Sequence, residues 1–226
     1  LDLFRDVPLM MAAEDAPPLA HMETFLDWSG VVQDQHRDRW RADLERTFHY
    51  RPRRPEGLLR GGQEIRLAAG SVEVIAAPGH TPGSLCFFFH PGEVLFLADY
   101  DLAPFGPWYG DPHSDMARIT DTVAELRGVP ASVWVTSHGQ GIYGQDPGDR
   151  WQAYVSVFAR RDRELLGLLQ TPRTMDEIVD AWIAYGQPRK PEYFYRSAEE
   201  ALMRKHLQGL MARGMVARRQ ERYCLA

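Results

Sequence analysis

The chain has 226 residues, 44% of them hydrophobic and 25% charged, which is typical of an ordinary folded protein with a sizeable core. Its two cysteines, Cys86 and Cys224, lie far apart in the sequence, so they argue against a disulfide framework and favour a reducing, cytoplasmic location. No apolar run has the length of a membrane span. The net charge of −5, taken over the whole chain, gives no sign of nucleic-acid binding.

Charge is divided unevenly along the chain. Residues 1–150 hold 13 basic against 22 acidic side chains, whereas residues 151–226 hold 13 against 9. The sequence pattern changes at the same point. We therefore predict two domains, residues 1–150 and residues 151–226.

The first third of the chain alternates short predicted elements. Residues 1–4 have the pattern of a helix already under way, and residues 7–12 predict a buried strand. Helical spacing recurs in places over residues 23–50. The prolines of residues 51–55 then end any helix, because proline lacks an amide donor and clashes with the preceding turn.

A series of strands follows. Residues 64–67 and 71–75 alternate between polar and apolar side chains, which predicts strands with one solvated face. Residues 85–89 and 94–97 are continuous apolar runs, so we expect a hairpin of two fully buried strands. Residues 115–127 predict a helix and residues 132–135 the next strand, giving a mixed α+β order.

The last third is dominated by helices. Apolar side chains from Trp151 to Leu169 recur at helical spacing, and residues 174–177 and 197–200 both have the form of a capping box that begins a helix. The last helix is expected to end at Gly214, before a hairpin formed by residues 215–218 and 222–225. Three helices followed by a two-stranded wing is the order of a winged-helix module.

Three side chains of metal-ligand type stand at the ends of predicted strands. His80 lies in a Pro-Gly-His-Thr-Pro-Gly turn, Asp99 follows the run Leu-Phe-Leu-Ala, and His138 follows Val-Trp-Val-Thr-Ser. Asp101, two residues after Asp99, is the rival carboxylate. Zinc accepts imidazole and carboxylate ligands and leaves a position for water at catalytic sites.

The two oxygens of one carboxylate can bind two ions, so Asp99 is the natural bridge between a metal held by His80 and a second held by His138. A metal-activated hydroxide would then be present at neutral pH and would attack an ester, thioester, amide or phosphate. The glycines and prolines around His80 permit and stiffen a tight turn that holds the imidazole in place. Thr81 and Ser84 are expected to hydrogen-bond within this turn rather than to act in catalysis.

These motifs together resemble the second half of the metallo-β-lactamase-fold hydrolases. The resemblance implies a four-layer αββα sandwich with two zinc ions at one edge of the paired sheets, iron or manganese being the alternatives. It implies His80, Asp99 and His138 as metal ligands. The segment from Trp151 onward is similar to the winged-helix extension of a subgroup that includes an endoribonuclease.

One departure from the family is large. The family's His-x-His-x-Asp-His signature, which supplies most of the ligands and the general base, is absent from this sequence. We expect that a segment of several tens of residues before residue 1 carries it, so the general base lies upstream. The alternative is a true loss of the motif.

The loop over residues 105–115 is aromatic and follows Asp99 closely. The structural interpretation is an ordered loop whose aromatic side chains pack in the core and whose Ser114 or Asp115 caps the next helix. The functional interpretation is a wall of the substrate pocket, with Tyr109 or His113 near the metals. The histidines outside the three motifs, among them His90 and His206, are expected to be surface or structural residues.

The favoured function is metal-dependent hydrolysis of a small ester, thioester or lactone. An endoribonuclease or nucleic-acid phosphodiesterase is the first alternative, and a degenerate metal-free binding module is the second. The expected partner is a small-molecule substrate, with nucleic acid and a homodimer left open and no membrane. A nuclease calls for a basic groove leading to the metals, and the acidic residues 1–150 argue against one.

Overall fold

The structure, a computed structural model, describes residues 4, 6–30 and 34–226, so the predicted helical start at residues 1–4 lies largely outside the described residues. None of the helices in these ranges is long and apolar enough to cross a membrane. The helices are α1 (Ala16–Ala20), α2 (Met22–Trp28), α3 (Asp34–Arg46), α4 (Met116–Arg127), α5 (Arg150–Leu168), α6 (Met175–Val179) and α7 (Glu192–Ala212). The strands are β1 (Met10–Met11), β2 (Gly57–Leu58), β3 (Glu64–Leu67), β4 (Gly70–Ala76), β5 (Leu85–His90), β6 (Val94–Phe96), β7 (Val133–Val135), β8 (Ile142–Tyr143), β9 (Val216–Arg219) and β10 (Arg222–Leu225).

Six strands form the central sheet in the order β3-β4-β5-β6-β7-β8. The first four run as an antiparallel meander, β7 joins β6 in parallel, and β8 pairs antiparallel with β7. Parallel neighbours need a long crossover, and α4 occupies the connection between β6 and β7. These elements confirm the strands and the helix predicted between residues 64 and 135, and with them a mixed α+β fold.

One face of the sheet carries the core. Phe88, Leu95, Trp134 and Tyr143 are direct cross-strand partners, so they lie in a row on the same face, and all four are buried. They belong to one hydrophobic cluster with the apolar side chains of α4, α5 and α7. The sheet is therefore held to the helices through this face.

The opposite face corrects the expectation of a fully buried hairpin. Within the described residues, the strands of the central sheet contribute side chains to that cluster from one face only. On the other face Phe87 is partly buried and Phe89 is 38% exposed. On the same face Val74 of β4 is fully buried, so this face is covered in part, whereas the continuous apolar run predicted full cover on both faces.

The N-terminal part is more helical than the sequence pattern suggested. The strand predicted over residues 7–12 is limited to the two residues of β1, which pair in parallel with β2. Helical spacing over residues 23–50 is confirmed by α2 and α3. The proline-rich residues 51–55 form the connection from α3 to β2, as predicted.

The C-terminal elements follow the predicted order of three helices and a hairpin. Thr174 and Glu177 form the expected capping box at the start of α6. The second predicted box is wrong, because α7 already begins at Glu192, and the Ser197 hydroxyl donates to the carbonyl of Tyr193 inside the helix. Gly214, with a φ of 68°, follows the end of α7 in the left-handed region, as expected.

The predicted boundary near residue 150 coincides with the start of α5. The hydrophobic cluster nevertheless continues across it, since it contains both Leu95 of β6 and Leu207 of α7. The division into two domains and the interpretation of the second as a winged helix stay predictions.

Candidate metal centre

The turn that carries His80 connects β4 to β5. The amide of Ala77 donates to the carbonyl of Ser84 at 2.8 Å, so the hairpin closes around residues 78–83. Gly79 has a φ of 132°, and a Cβ at this position would lie 2.6 Å from the backbone nitrogen of Ile119. Only glycine allows α4 to approach the turn this closely.

Side chains and backbone from neighbouring elements fix the outside of this turn. Its carbonyls accept hydrogen bonds from four donors that lie outside the turn. They are the Tyr100 hydroxyl to Ala77 (2.9 Å), the Thr122 hydroxyl to Pro78 (2.7 Å), the Asp115 amide to Gly79 (2.8 Å) and the Ser114 hydroxyl to His80 (2.7 Å). The backbone beneath the His80 side chain is therefore held on several sides.

Asp15 braces the same turn from the N-terminal segment. Its carboxylate accepts the Gly83 amide at 2.8 Å and the Thr81 hydroxyl at 2.5 Å. Thr81 and Ser84 also hydrogen-bond each other, which confirms their predicted role in the turn. The sequence reasoning missed Asp15, because nothing in the local pattern connects it to a turn 66 residues away.

The imidazole of His80 is oriented through its Nδ1 atom. This atom lies 3.0 Å from the carbonyl oxygen of Trp108, which can only accept a hydrogen bond, so Nδ1 carries the proton. The lone pair of Nε2 is then free to bind a metal. A backbone carbonyl on the second imidazole nitrogen is the usual support of a metal-binding histidine.

Asp99 and His138 reach His80 from the ends of two parallel strands. Because β6 and β7 are parallel neighbours, their carboxyl ends lie at the same edge of the sheet. The Ser137 amide donates to the carbonyl of Ala98 at 3.0 Å and ties the two following loops together. Nε2 of His80 lies 3.5 Å from Oδ2 of Asp99, and Nε2 of His138 lies 3.4 Å from Oδ1.

These distances fit a pair of metal ions. Two ligand atoms on one tetrahedral zinc ion are about 3.4 Å apart, because Zn–N and Zn–O bonds are about 2.1 Å long. His80 and His138 each meet a different oxygen of Asp99, which is the arrangement expected of a bridging carboxylate. The donor atoms present thus fit the two ions that the sequence suggests.

The set of donors is incomplete in the described part of the chain. No group of three or more His, Cys, Asp or Glu side chains there is arranged to hold one ion. His80 and His138 contact different oxygens of Asp99, so each half of the candidate centre has one imidazole and one carboxylate oxygen. Further donors are needed to complete either half.

Asp101, the rival ligand, has a different environment. Its Oδ1 accepts the amide of Ala103 at 3.0 Å, and burial raises the pKa of its carboxyl. The direct contacts with both imidazoles belong to Asp99. The geometry therefore favours Asp99 as the ligand, in agreement with the order of preference from the sequence.

The structure corrects the role predicted for Tyr109. Its ring is fully buried rather than in a pocket wall, and burial raises the pKa of its hydroxyl to about 12. Arg161 donates to the Tyr109 oxygen at 2.8 Å, and the hydroxyl lies 2.7 Å from Nε2 of His206. Nδ1 of His206 lies 2.7 Å from Asp162, so these four side chains form one buried network between the loop, α5 and α7.

His113 lies at the surface, and its role in substrate contact stays a prediction. Its ring packs on Trp28 with centroids 4.2 Å apart. Burial raises the pKa of nearby Asp111, while a hydrogen bond from the Trp108 indole and the charge of Lys205 oppose that rise. Asp115 caps α4 by accepting hydrogen bonds from two backbone amides, as the structural interpretation of this loop predicted.

Comparisons with known proteins found two curated relatives and several solved structures that are similar to this chain. Lactamase-like protein nscB of Trichophyton equinum and its namesake in Trichophyton tonsurans are each 24% identical to this chain over 135 residues, or 59% of it, and the matched part spans 39% of their length. A metallo-beta-lactamase family protein from Thermus thermophilus has a similar structure, with a TM-score of 0.66 and 22% identity over 97% of this chain and 72% of its own. A beta-lactamase domain protein from Burkholderia ambifaria also has a TM-score of 0.66, with 18% identity over 97% of this chain and 67% of its own.

The family model described as the metallo-beta-lactamase superfamily matches residues 2–138, a range that contains all three candidate ligands. The chain belongs to the metallo-beta-lactamase superfamily.

Proposed function

We propose that this protein is a metal-dependent hydrolase of small esters, thioesters or lactones. His80, Asp99 and His138 would hold the metal, with Asp99 shared between the two imidazoles. The observation that carries the proposal is the contact of each imidazole with a different oxygen of the same carboxylate, at 3.5 and 3.4 Å. Packing alone gives no reason to gather these three polar side chains at one sheet edge.

The donor chemistry favours zinc. Imidazole nitrogen with carboxylate oxygen is a common zinc ligand set, and iron or manganese remain the alternatives. Bound ions of this kind supply a hydroxide at neutral pH and polarise the carbonyl that it attacks.

The protein's own residues keep the ligands in place. The Trp108 carbonyl holds the proton of His80 on Nδ1 and so presents Nε2. The hydrogen bonds around the turn prevent the imidazole from moving away when no ion is bound. Rigid support of this kind lowers the reorganisation that a metal or a substrate would otherwise require.

The nuclease alternative has less support around this centre. Residues 1–150 hold 13 basic against 22 acidic side chains, a balance that disfavours the approach of a phosphodiester. The degenerate module is the more serious alternative, since the described residues give each ion only one imidazole and one carboxylate oxygen. A measurement of metal binding distinguishes the degenerate module, which binds no metal, from the hydrolase.

The test is zinc binding by the 226-residue chain, measured by equilibrium dialysis and metal analysis, followed by hydrolysis of p-nitrophenyl acetate, a thioester and a lactone. We expect His80→Ala and Asp99→Asn to lower zinc affinity at least tenfold, because each removes a ligand. His90→Ala is the matched control, since it removes an exposed histidine at the far end of β5. Equal zinc binding in all three variants would remove these residues from the metal centre.

A further inference from the structure

A cavity of about 330 Å³ lies between α2, α3 and α7, beside the candidate metal centre. It shares one wall with that centre. Trp108 lines the cavity, while the carbonyl of the same residue holds His80. A volume of this size is at the lower end of the range for small-molecule sites.

The walls of the cavity are largely aromatic. Phe25, Trp40, Trp108 and Phe194 contribute to its lining. Trp40 packs against Phe194 with centroids 5.6 Å apart, and its indole nitrogen donates to the Ser29 hydroxyl at 3.3 Å. The rings are thus held in place, which favours a flat apolar guest over a flexible chain.

Two carboxylates reach the lining, and they differ in their partners. Glu200 is paired with Arg204, one turn further along α7, so its charge is already neutralised. Asp111 accepts a hydrogen bond from the Trp108 indole and lies near the charge of Lys205, but within the described residues it forms no salt bridge. A carboxylate can accept several hydrogen bonds, so Asp111 has capacity left for a ligand.

We propose that this cavity binds a small molecule with a flat aromatic body and one hydrogen-bond donor. The body lies against Trp40, Trp108 and Phe194, and the donor is directed to the carboxylate of Asp111. This site does not depend on the proposed hydrolase activity, because none of its residues is a candidate metal ligand. It is tested on protein treated with a chelator, so metal binding and ligand binding fail or succeed separately.

The first experiment measures binding of N-phenyl-1-naphthylamine, an aromatic fluorescent probe with one N–H donor. We expect a saturable rise in fluorescence with the wild-type chain. Ser197→Phe places a ring in the cavity and should abolish this rise. Ser156→Phe is the matched control, because Ser156 is an exposed helical serine that also donates to a carbonyl of its own helix.

A second variant guards against misfolding of Ser197→Phe. Phe194 is 39% exposed, so Phe194→Ala should preserve the fold and weaken probe binding about tenfold by removing one aromatic wall. The probe could also bind to the half-exposed face of the central sheet, which these variants leave unchanged. A signal that survives both Ser197→Phe and Phe194→Ala at the level of Ser156→Phe would overturn the proposed site.

The second experiment tests the role of Asp111. The bound probe is displaced with 1-naphthol, which has a donor, and with 1-methoxynaphthalene, which has none. We expect 1-naphthol to bind about tenfold more tightly, the effect of one hydrogen bond to a charged group, and Asp111→Asn to remove most of that preference. Equal affinities in the wild type, or an unchanged preference in Asp111→Asn, would refute the assignment of Asp111.

Discussion

Replacement of Tyr109 by phenylalanine tests the buried network that joins the loop after β6 to α5 and α7. The change removes one oxygen, which accepts a hydrogen bond from Arg161 and lies 2.7 Å from Nε2 of His206. Both partners are fully buried, so neither can turn to water instead. Arg161 keeps its bond to the carbonyl of Phe105, and His206 keeps Asp162.

The expected cost follows from the two groups left short of a partner. A buried polar group that loses its partner costs about 1–3 kcal/mol, so we expect Tyr109→Phe to lower the free energy of unfolding by about 3 kcal/mol. Urea denaturation followed by circular dichroism measures it, as a lower midpoint with an unchanged slope. The network would be irrelevant to stability if the loss were below about 0.5 kcal/mol.

Tyr143→Phe is the control for this prediction. Tyr143 is also a core tyrosine, with 6% of its surface exposed. Its hydroxyl has no hydrogen-bond partner within the described part of the chain. Because this oxygen is not buried, it can bond to water instead. Removing that oxygen should change the free energy of unfolding by less than about 0.5 kcal/mol.

Two further predictions concern the metal-site turn and the pH dependence of stability. Gly79→Ala should destabilise the folded chain by about 2–4 kcal/mol, because its Cβ would lie 2.6 Å from the Ile119 nitrogen. Thermal unfolding measures this loss, and an unchanged unfolding temperature would contradict the close approach of α4 to the turn. Burial acts to raise the pKa of Asp162, but hydrogen bonds from His206 and Arg213 outweigh it and the pKa is lowered. Because the pKa of Asp162 is lower in the folded state, its carboxylate stabilises that state above the unfolded pKa of about 3.9. This stabilisation is lost as the pH falls through the folded pKa. The urea midpoint should therefore drop more between pH 6 and pH 3 in the wild type than in Asp162→Asn, and equal drops would disprove the role of Asp162.

The strand-end positions of the three candidate ligands could be predicted because their signals are local. The Gly/Pro turn around His80 and the apolar runs before Asp99 and His138 are each contained in fewer than about ten residues, the length over which strands and turns are specified. The same local patterns predicted the central strands and α4. Where the local pattern was ambiguous, as in the two capping boxes, one prediction held and the other failed, since Ser197 lies inside α7.

Burial on a particular face could not be predicted in this way. The apolar runs of β5 and β6 are consistent with cover on both sides, but the described helices share a core with one face, and Phe89 on the other is 38% exposed. Tyr109 shows the opposite error, because an aromatic residue in a loop suggests a pocket wall, yet α5 and α7 enclose it. Which surface meets which is a property of the assembled layers and not of any short segment.

The sequence by itself determined the residue types and their strand-end positions, because these depend on neighbours along the chain. Only the tertiary structure decided that both imidazoles reach one carboxylate, since that depends on β6 and β7 lying side by side. It also decided that Asp15 braces the turn from 66 residues away, and that Trp108 both contacts His80 and lines an aromatic cavity. Contacts between distant segments follow from packing, to which the local pattern contributes only the apolar faces.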